Sequence, residues 1–248
     1  MKKPKMILFD YGHTLGYEAD FDGVRGTEAI MRHAAHNKDN LGAAEISAFI
    51  ESVHGGITQD ARNAGAEINN LIYQRFVYDY LQIGFNLPPE QIELMFWNNA
   101  SPAEAMPNAG KVLDYLAANG IRSGVISNIS FSGVTLEKRL NGLFPDHHFE
   151  FIIASSEYMY RKPNKLLFEL ALRKADLAAG DVWYCGDSTV YDVGGAAGAG
   201  IFPVWFHSEK QCFYRENKGA DERPACDHLY IRDWLELIDA LESIKNIY

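Results

Sequence analysis

Five polar signals in this chain can do chemistry together, because each follows a short apolar run. Asp10 ends the run Lys5-Met6-Ile7-Leu8-Phe9. Ser127-Asn128 follows Gly124-Val125-Ile126. Lys162-Pro163 lies in the stretch after Phe151-Ile152-Ile153-Ala154. Gly186-Asp187 follows Val182-Trp183-Tyr184-Cys185, and Asp192 stands five residues beyond Asp187. The set holds three carboxylates, one hydroxyl and one ammonium. Carboxylate oxygens suit a hard cation such as Mg²⁺. A hydroxyl and a lysine suit the oxygens of a neighbouring phosphoryl group. A spare carboxylate is a candidate nucleophile.

The apolar runs that carry these residues do not alternate, which predicts strands buried on both faces of a parallel sheet. A fifth run spans Ile201 to Phe206, with Pro203 suggesting an edge or a bulge. Helical spacing marks Ala109, Val112, Leu113, Leu116 and Ala117, with Gly120 as a stop. It also marks Leu166, Leu167, Leu170 and Ala171, and a closing helix at Trp234, Leu235, Ile238 and Leu241. Strands alternating with helices predict an α/β fold with an open, Rossmann-like parallel sheet. In such sheets ligands bind beyond the carboxyl ends of the strands.

Residues 19–104 read differently. Helical periodicity runs from about Thr27 to Asn37, Ala44 to Val53, Ala66 to Leu81 and Pro89 to Trp97, with no convincing strand. The expectation is an all-helical insert between the first strand and the rest of the sheet. It holds 5 basic and 12 acidic residues, so it carries −7 of the net −10.

That overall charge (23 basic against 33 acidic residues) disfavours nucleic acid and anionic membranes as partners. No apolar run approaches the ~20 residues of a membrane helix, and the run behind the basic N-terminus is too short for a signal peptide. Cys185, Cys212 and Cys226 are odd in number and show no CxxC spacing. Neither a disulfide framework nor a zinc site is indicated, and a reducing cytoplasm is expected.

Taken together, four segments resemble the motifs of the haloacid dehalogenase (HAD)-like hydrolase superfamily, in its branch with a helical cap after the first strand. They are Phe9-Asp10-Tyr11-Gly12-His13-Thr14-Leu15, Ser127-Asn128, Arg161-Lys162-Pro163 and Gly186-Asp187-Ser188-Thr189-Val190-Tyr191-Asp192. The resemblance implies a HAD-like core of 1–18 and 105–248 and a cap of 19–104. It implies Asp10 as the nucleophile that forms an aspartyl-phosphate, and Ser127 and Lys162 as phosphoryl ligands, with Lys162 also orienting Asp10. Asp10, Asp187, Asp192 and the Gly12 carbonyl become the implied Mg²⁺ ligands, Asp192 partly through water. Thr14 supports the loop, and Thr14 and Asn128 become substrate contacts. The implied substrate is a small phosphorylated metabolite.

One position departs from the pattern. Phosphatases of this superfamily carry a second Asp two residues after the nucleophile, as general acid and base; here it is Gly12. Such a group contributes ~10²–10⁴ in rate. His13 is the replacement candidate, since an imidazole titrates near neutrality, although its place in the loop is one residue later. Tyr11 suits packing better than proton donation. The gap leaves open a phosphonate or other activated-bond hydrolase, or a weakly catalytic phosphoryl-binding protein. An imine-forming phosphonate hydrolase needs a desolvated cap lysine, and Lys38, between Asn37 and Asp39, reads as solvated.

The remaining signals read as structural. His147-His148 suits a solvated turn, Cys185 a buried strand, and the small residues of 194–200 close helix–sheet packing. Residues 207–226, with Phe213 and Tyr214, read as a polar surface loop. Arg25, Arg62 and Arg75 are the anion-contact candidates of the insert, unranked by sequence.

Overall fold

The computed structural model describes residues 2–210 and 223–244. Cys212, Phe213, Tyr214 and the middle of the expected 207–226 loop lie outside the described residues. The chain runs β1 (Met6–Phe9), β2 (Gly16–Glu18), α1 (Gly23–Met31), β3 (Ala34–Asn37), α2 (Ala43–Asn63), α3 (Asn70–Tyr80), β4 (Ile83–Phe85), α4 (Pro89–Ala100) and β5 (Ala103–Ala105). It continues with α5 (Ala109–Ala118), β6 (Arg122–Ser127), α6 (Gly133–Leu143), β7 (Ile152–Ala154), α7 (Ser155–Tyr158), α8 (Lys165–Ala175) and β8 (Val182–Gly186). A π-turn (Thr189–Gly194), α9 (Gly195–Gly198), β9 (Phe202–Phe206), β10 (Leu229–Ile231) and α10 (Trp234–Ser243) complete it. Among the described residues no helix is long and apolar enough to cross a membrane.

Six strands form one parallel sheet in the order β10-β9-β8-β1-β6-β7. The α/β, Rossmann-like core is as expected. Its strands are apolar on both faces because helices cover both. Ile7 and Phe9 of β1 face α5, α6 and α10 through Val112, Leu136 and Trp234. Met6 and Leu8 face α8 and α9 through Phe168 and Ala196. Burying each such side chain contributes ~1.5–3 kcal/mol. After β1 the chain builds outward through β6 and β7, then returns to β8 on the other side of β1. The switch point therefore lies between the carboxyl ends of β1 and β8, where α/β sheets bind ligands.

Strand β9 is not an edge strand, because β10 lies outside it. Pairing with β10 begins only at Val204, so Pro203 still meets an edge locally. Among the glycines of 194–200, Gly195 packs closely against a helix rather than the expected sheet: a Cβ there would stand 2.7 Å from the Phe168 ring of α8.

Between β2 and β5 the chain folds on a core of its own, built on Ile30, Ile46, Val77, Ile83 and Ile92. The expectation of an all-helical insert needs correction. β3 and β4 pair antiparallel within it, and Ala34–Asn37 is a strand rather than the end of a helix. The turn of α1 ends at Met31, and Ala34 then finds Phe85 as its partner across the sequence. Local periodicity does not report such a long-range pair.

Glu18 and Glu93 each help to seat the insert on the sheet domain. Glu18 of β2 is buried, accepts 2.8 Å from Tyr11 Oη and 3.0 Å from Ser101 Oγ, and pairs with Arg139 of α6 at 3.2 Å. Glu93 of α4 is fully buried at the N-terminus of α6. It accepts from Ser132 N at 3.2 Å, Thr135 Oγ1 at 2.6 Å, Asn70 Nδ2 at 2.9 Å and the Ser132 hydroxyl. An anion at a helix N-terminus also meets the favourable end of the dipole.

Candidate active site

The β-strands deliver the charged residues to one place. Asp10 leaves the end of β1 with its amide donating to Cys185 O at 2.9 Å, which sets it beside the end of β8. Asp187 follows β8 directly. Asp192 is carried back toward the strand by the π-turn, where its Oδ2 accepts from Ser188 N at 2.9 Å. Gly186 makes this approach possible, because a Cβ there would stand 2.4 Å from Asp192 Cγ. One oxygen from each of Asp10, Asp187 and Asp192 lies within 4.8 Å of the others, and all three residues are buried.

Lys162 enters this group from the loop ahead of α8. Its Nζ lies 2.8 Å from Asp10 Oδ1, 2.6 Å from Asp192 Oδ1 and 2.7 Å from Tyr184 Oη. An ammonium has three donors, so this arrangement engages all of them. The expected orienting of Asp10 is thus present, and a phosphoryl oxygen reaches Nζ only by replacing one of these partners. Burial pushes the Asp10 carboxyl above its usual range; Lys162 opposes that rise and Asp192 adds to it. Burial works against the Lys162 charge, but Asp10 and Asp192 outweigh it and raise the ammonium.

Three carboxylates around one ammonium leave a surplus of two negative charges in a buried site. Buried charge of that size needs a counter-ion, and three carboxylate oxygens this close match a hard divalent cation. The residues present therefore fit Mg²⁺.

Asn128 does a job that its sequence position did not suggest. Its Oδ1 accepts from Lys162 N at 2.7 Å and its Nδ2 donates to Lys162 O at 3.0 Å. Expected as a substrate contact, it clamps the main chain of the lysine loop. Ser127 is buried at the end of β6. Thr14 is buried and its Oγ1 has no hydrogen-bond partner among the described residues. The loop there is held by backbone bonds, such as Leu15 N to Tyr11 O at 3.0 Å. His13 takes a positive φ of 59°, is fully buried, and sets its ring 6.2 Å from that of Tyr17. Tyr11 packs edge-on to Trp97 at 5.7 Å, as expected of it. His147 Nε2 lies 2.7 Å from Ser123 Oγ, on the amino half of β6.

Two features escaped the sequence reading. Tyr184 hides in an apolar strand, yet its hydroxyl joins Lys162, Asp192 and Ile126 O; burial and Asp192 hold it well above its ordinary pKa. A tyrosine in a strand buried on both faces was the available signal, since its hydroxyl must find a partner. Glu67 and Arg161 form an ion pair across 94 residues, with no spacing to reveal it.

The sequence profile described as haloacid dehalogenase-like hydrolase matches residues 91–206. That span holds Ser127, Lys162, Asp187 and Asp192, and Asp10 precedes it. The glyceraldehyde 3-phosphate phosphatase of Pyrococcus abyssi is 27% identical over 82% of this chain and 81% of its own. The ribulose-1,5-bisphosphate 5-phosphatase of Halopiger xanaduensis is 23% identical over 90% and 93%. Among solved structures, a dehalogenase with an intermediate complex superposes at a TM-score of 0.60, with 14% identity over 98% of this chain and all of its own. That last likeness is one of fold. The motif residues, the parallel sheet that gathers them and the profile match over 91–206 support a haloacid dehalogenase-like hydrolase.

Proposed function

We propose that this hydrolase cleaves phosphomonoesters of a small phosphorylated metabolite, with Mg²⁺ as cofactor and Asp10 as nucleophile. The observation that carries the reading is the buried set of Asp10, Asp187 and Asp192 around a lysine that points Asp10 Oδ1. The names of two relatives, both phosphatases, support it. Mg²⁺ would be held by Asp10, Asp187 and the Gly12 carbonyl, with Asp192 behind them. When bound it supplies positive charge against the phosphoryl oxygens. Lys162 opposes the effect of burial on the Asp10 carboxyl. Asp10 attacks phosphorus, the bond from phosphorus to the leaving oxygen breaks, and the leaving alkoxide needs a proton. Water then attacks phosphorus, phosphate departs, and Asp10 is restored. Ser127 is assigned to a phosphoryl oxygen.

The proton is the weak point of this chain. Gly12 carries no acid, so esters with good leaving groups are the ones cleaved fast. The imine route to phosphonate cleavage loses ground, because Lys38 is exposed. A cytoplasmic setting suits the free thiols of Cys185 and Cys226.

Hydrolysis of an aryl phosphate, with and without Mg²⁺ and beside Asp10→Asn, tests the reading. Metal-dependent release of phosphate that disappears in the variant is expected. No release by the wild type, or release that survives Asp10→Asn, overturns it.

A further inference from the structure

We propose that the seam between the insert and the sheet domain binds a second oxyanion, a carboxylate or phosphate on the leaving group of the substrate, through Arg62 and Arg161. This rests on the phosphatase reading and names the kind of ester that reading leaves open.

The seam begins as main chain. Glu67 N donates to Met159 O at 2.8 Å and Arg161 N to Gly65 O at 2.9 Å, with Ala66 and Tyr160 bridged antiparallel between them. This lays the end of α2 against the residues just ahead of Lys162. The side chains follow. Glu67 is fully buried and pairs directly with Arg161 Nη1. Ser155 Oγ donates to the same carboxylate oxygen at 3.1 Å, and Ser130 Oγ to the other at 3.3 Å. Arg62 Nε approaches Glu67 Oε1 only to 3.7 Å, and its Nη2 donates to Ser130 Oγ at a long 3.3 Å.

Two guanidiniums therefore share one carboxylate. Arg161 is the tight partner. Arg62, with 42% of its side chain exposed, is the surplus cation. The two repel each other in a half-buried place. Burial, then the charge of Arg62, push Arg161 down to about 10, while Tyr191 and Asp10 favour its charged form. Arg161 thus lies within the field of the nucleophile. An oxyanion arriving there relieves the repulsion and meets fork-shaped donors that match it.

The position fits the far end of a short substrate. Arg161 adjoins Lys162, which touches Asp10, and Ser130 lies three residues beyond Ser127. Two other arginines of the insert have partners elsewhere. Arg25 pairs with Asp20 at 3.0 Å and donates to Ala100 O, beside β5. Arg75 is exposed beside Asp79. The insert is acidic as a whole, so the selection is local rather than long-range.

The test uses the Asp10→Asn chain with Mg²⁺ and calorimetry. Three probes share one phosphoryl group and differ at the other end: glycerol 1-phosphate, 3-phosphoglycerate and propane-1,3-diol bisphosphate. At least one of the probes with a second anionic group should bind about tenfold tighter than glycerol 1-phosphate, the scale of one charge-assisted contact. Arg62→Gln in the same chain should bring that ratio close to one, and Arg62→Lys should keep part of it. The better of the two probes identifies the oxyanion. Equal dissociation constants for all three probes overturn the proposal alone. So does a ratio that survives Arg62→Gln, or a uniform loss for every probe, which makes the seam a latch. No binding by any probe, with no aryl phosphate turnover by the wild type, removes the phosphatase reading and this subsite together.

Discussion

The hydroxyl of Tyr184 lies 2.7 Å from the ammonium of Lys162 and donates to Ile126 O at 2.9 Å. A strand residue thus holds Lys162 from behind, while Asp10 and Asp192 hold it from the sides. Removing that oxygen leaves one Nζ donor without its partner inside a buried cluster. Tyr184→Phe should destabilise the fold by about 1–2 kcal/mol and lower kcat about tenfold with little change in KM. Urea unfolding and steady-state kinetics on an aryl phosphate check both. Unaltered kcat in a folded variant would show that Asp10 and Asp192 suffice to place Lys162.

The missing acid makes a prediction about leaving groups. With Gly12 in the loop, aryl phosphates should be hydrolysed far faster than alkyl phosphates. Gly12→Asp should raise alkyl phosphate turnover at least about tenfold, part of the full range of a general acid. Parallel rates for both esters in the wild type contradict the first claim. No gain in a folded, Mg²⁺-binding Gly12→Asp variant means that the proton comes from elsewhere. His13→Ala then decides whether the neighbouring imidazole supplies it.

Glu93 tests how firmly the insert is seated. Its carboxylate gathers the Ser132 amide, two hydroxyls and the Asn70 amide at the start of α6. Glu93→Ala strands those donors in a buried place and should destabilise the protein by about 2–4 kcal/mol. Glu93→Gln, which keeps an acceptor, should lose less. Denaturant midpoints of the two variants check the order, and equal losses would mean that shape rather than charge matters there.

Acid sensitivity should trace partly to His147. Burial, the larger influence, and His148 lower its pKa from 6.5, against Asp114. The fold therefore favours the neutral ring. Its stabilising share is complete above pH 6.5 and is lost as the pH falls through the lower folded value. The melting temperature of the wild type should decline from pH 7 to pH 5, and His147→Gln should decline less steeply. Identical slopes would assign the acid sensitivity to other groups.

The sheet was legible because its strands are buried on both faces, which leaves unbroken apolar runs such as Met6 to Phe9. The residues at their ends were legible for the same reason: a polar side chain closing such a run stands at the ligand-binding edge. β10 did not register because Tyr230 in its centre is exposed and polar residues flank it, which leaves no unbroken apolar run. The β3–β4 pair was missed because it joins Ala34 to Phe85 and depends on the folded insert. Within the site, Asp10, Lys162, Asp187 and Asp192 were found and converge. The clamp of Asn128 on the Lys162 main chain was not foreseen, since nothing local shows that its amide spans Lys162. Tyr184 and Glu67 were not found: one reads as core, and the other meets its partner only across the seam.

Strands β2 and β5 run side by side, Gly16 opposite Ala105 and Glu18 opposite Ala103. The polypeptide therefore leaves the sheet domain and returns to it through one doorway. Everything between Glu18 and Ala103 is an excursion whose ends already touch, so its length and content put no strain on the sheet behind it. Such wiring separates two inheritances. The clustered carboxylates Asp10, Asp187 and Asp192 belong to the frame, and the excursion can be lengthened, rebuilt or exchanged without moving them.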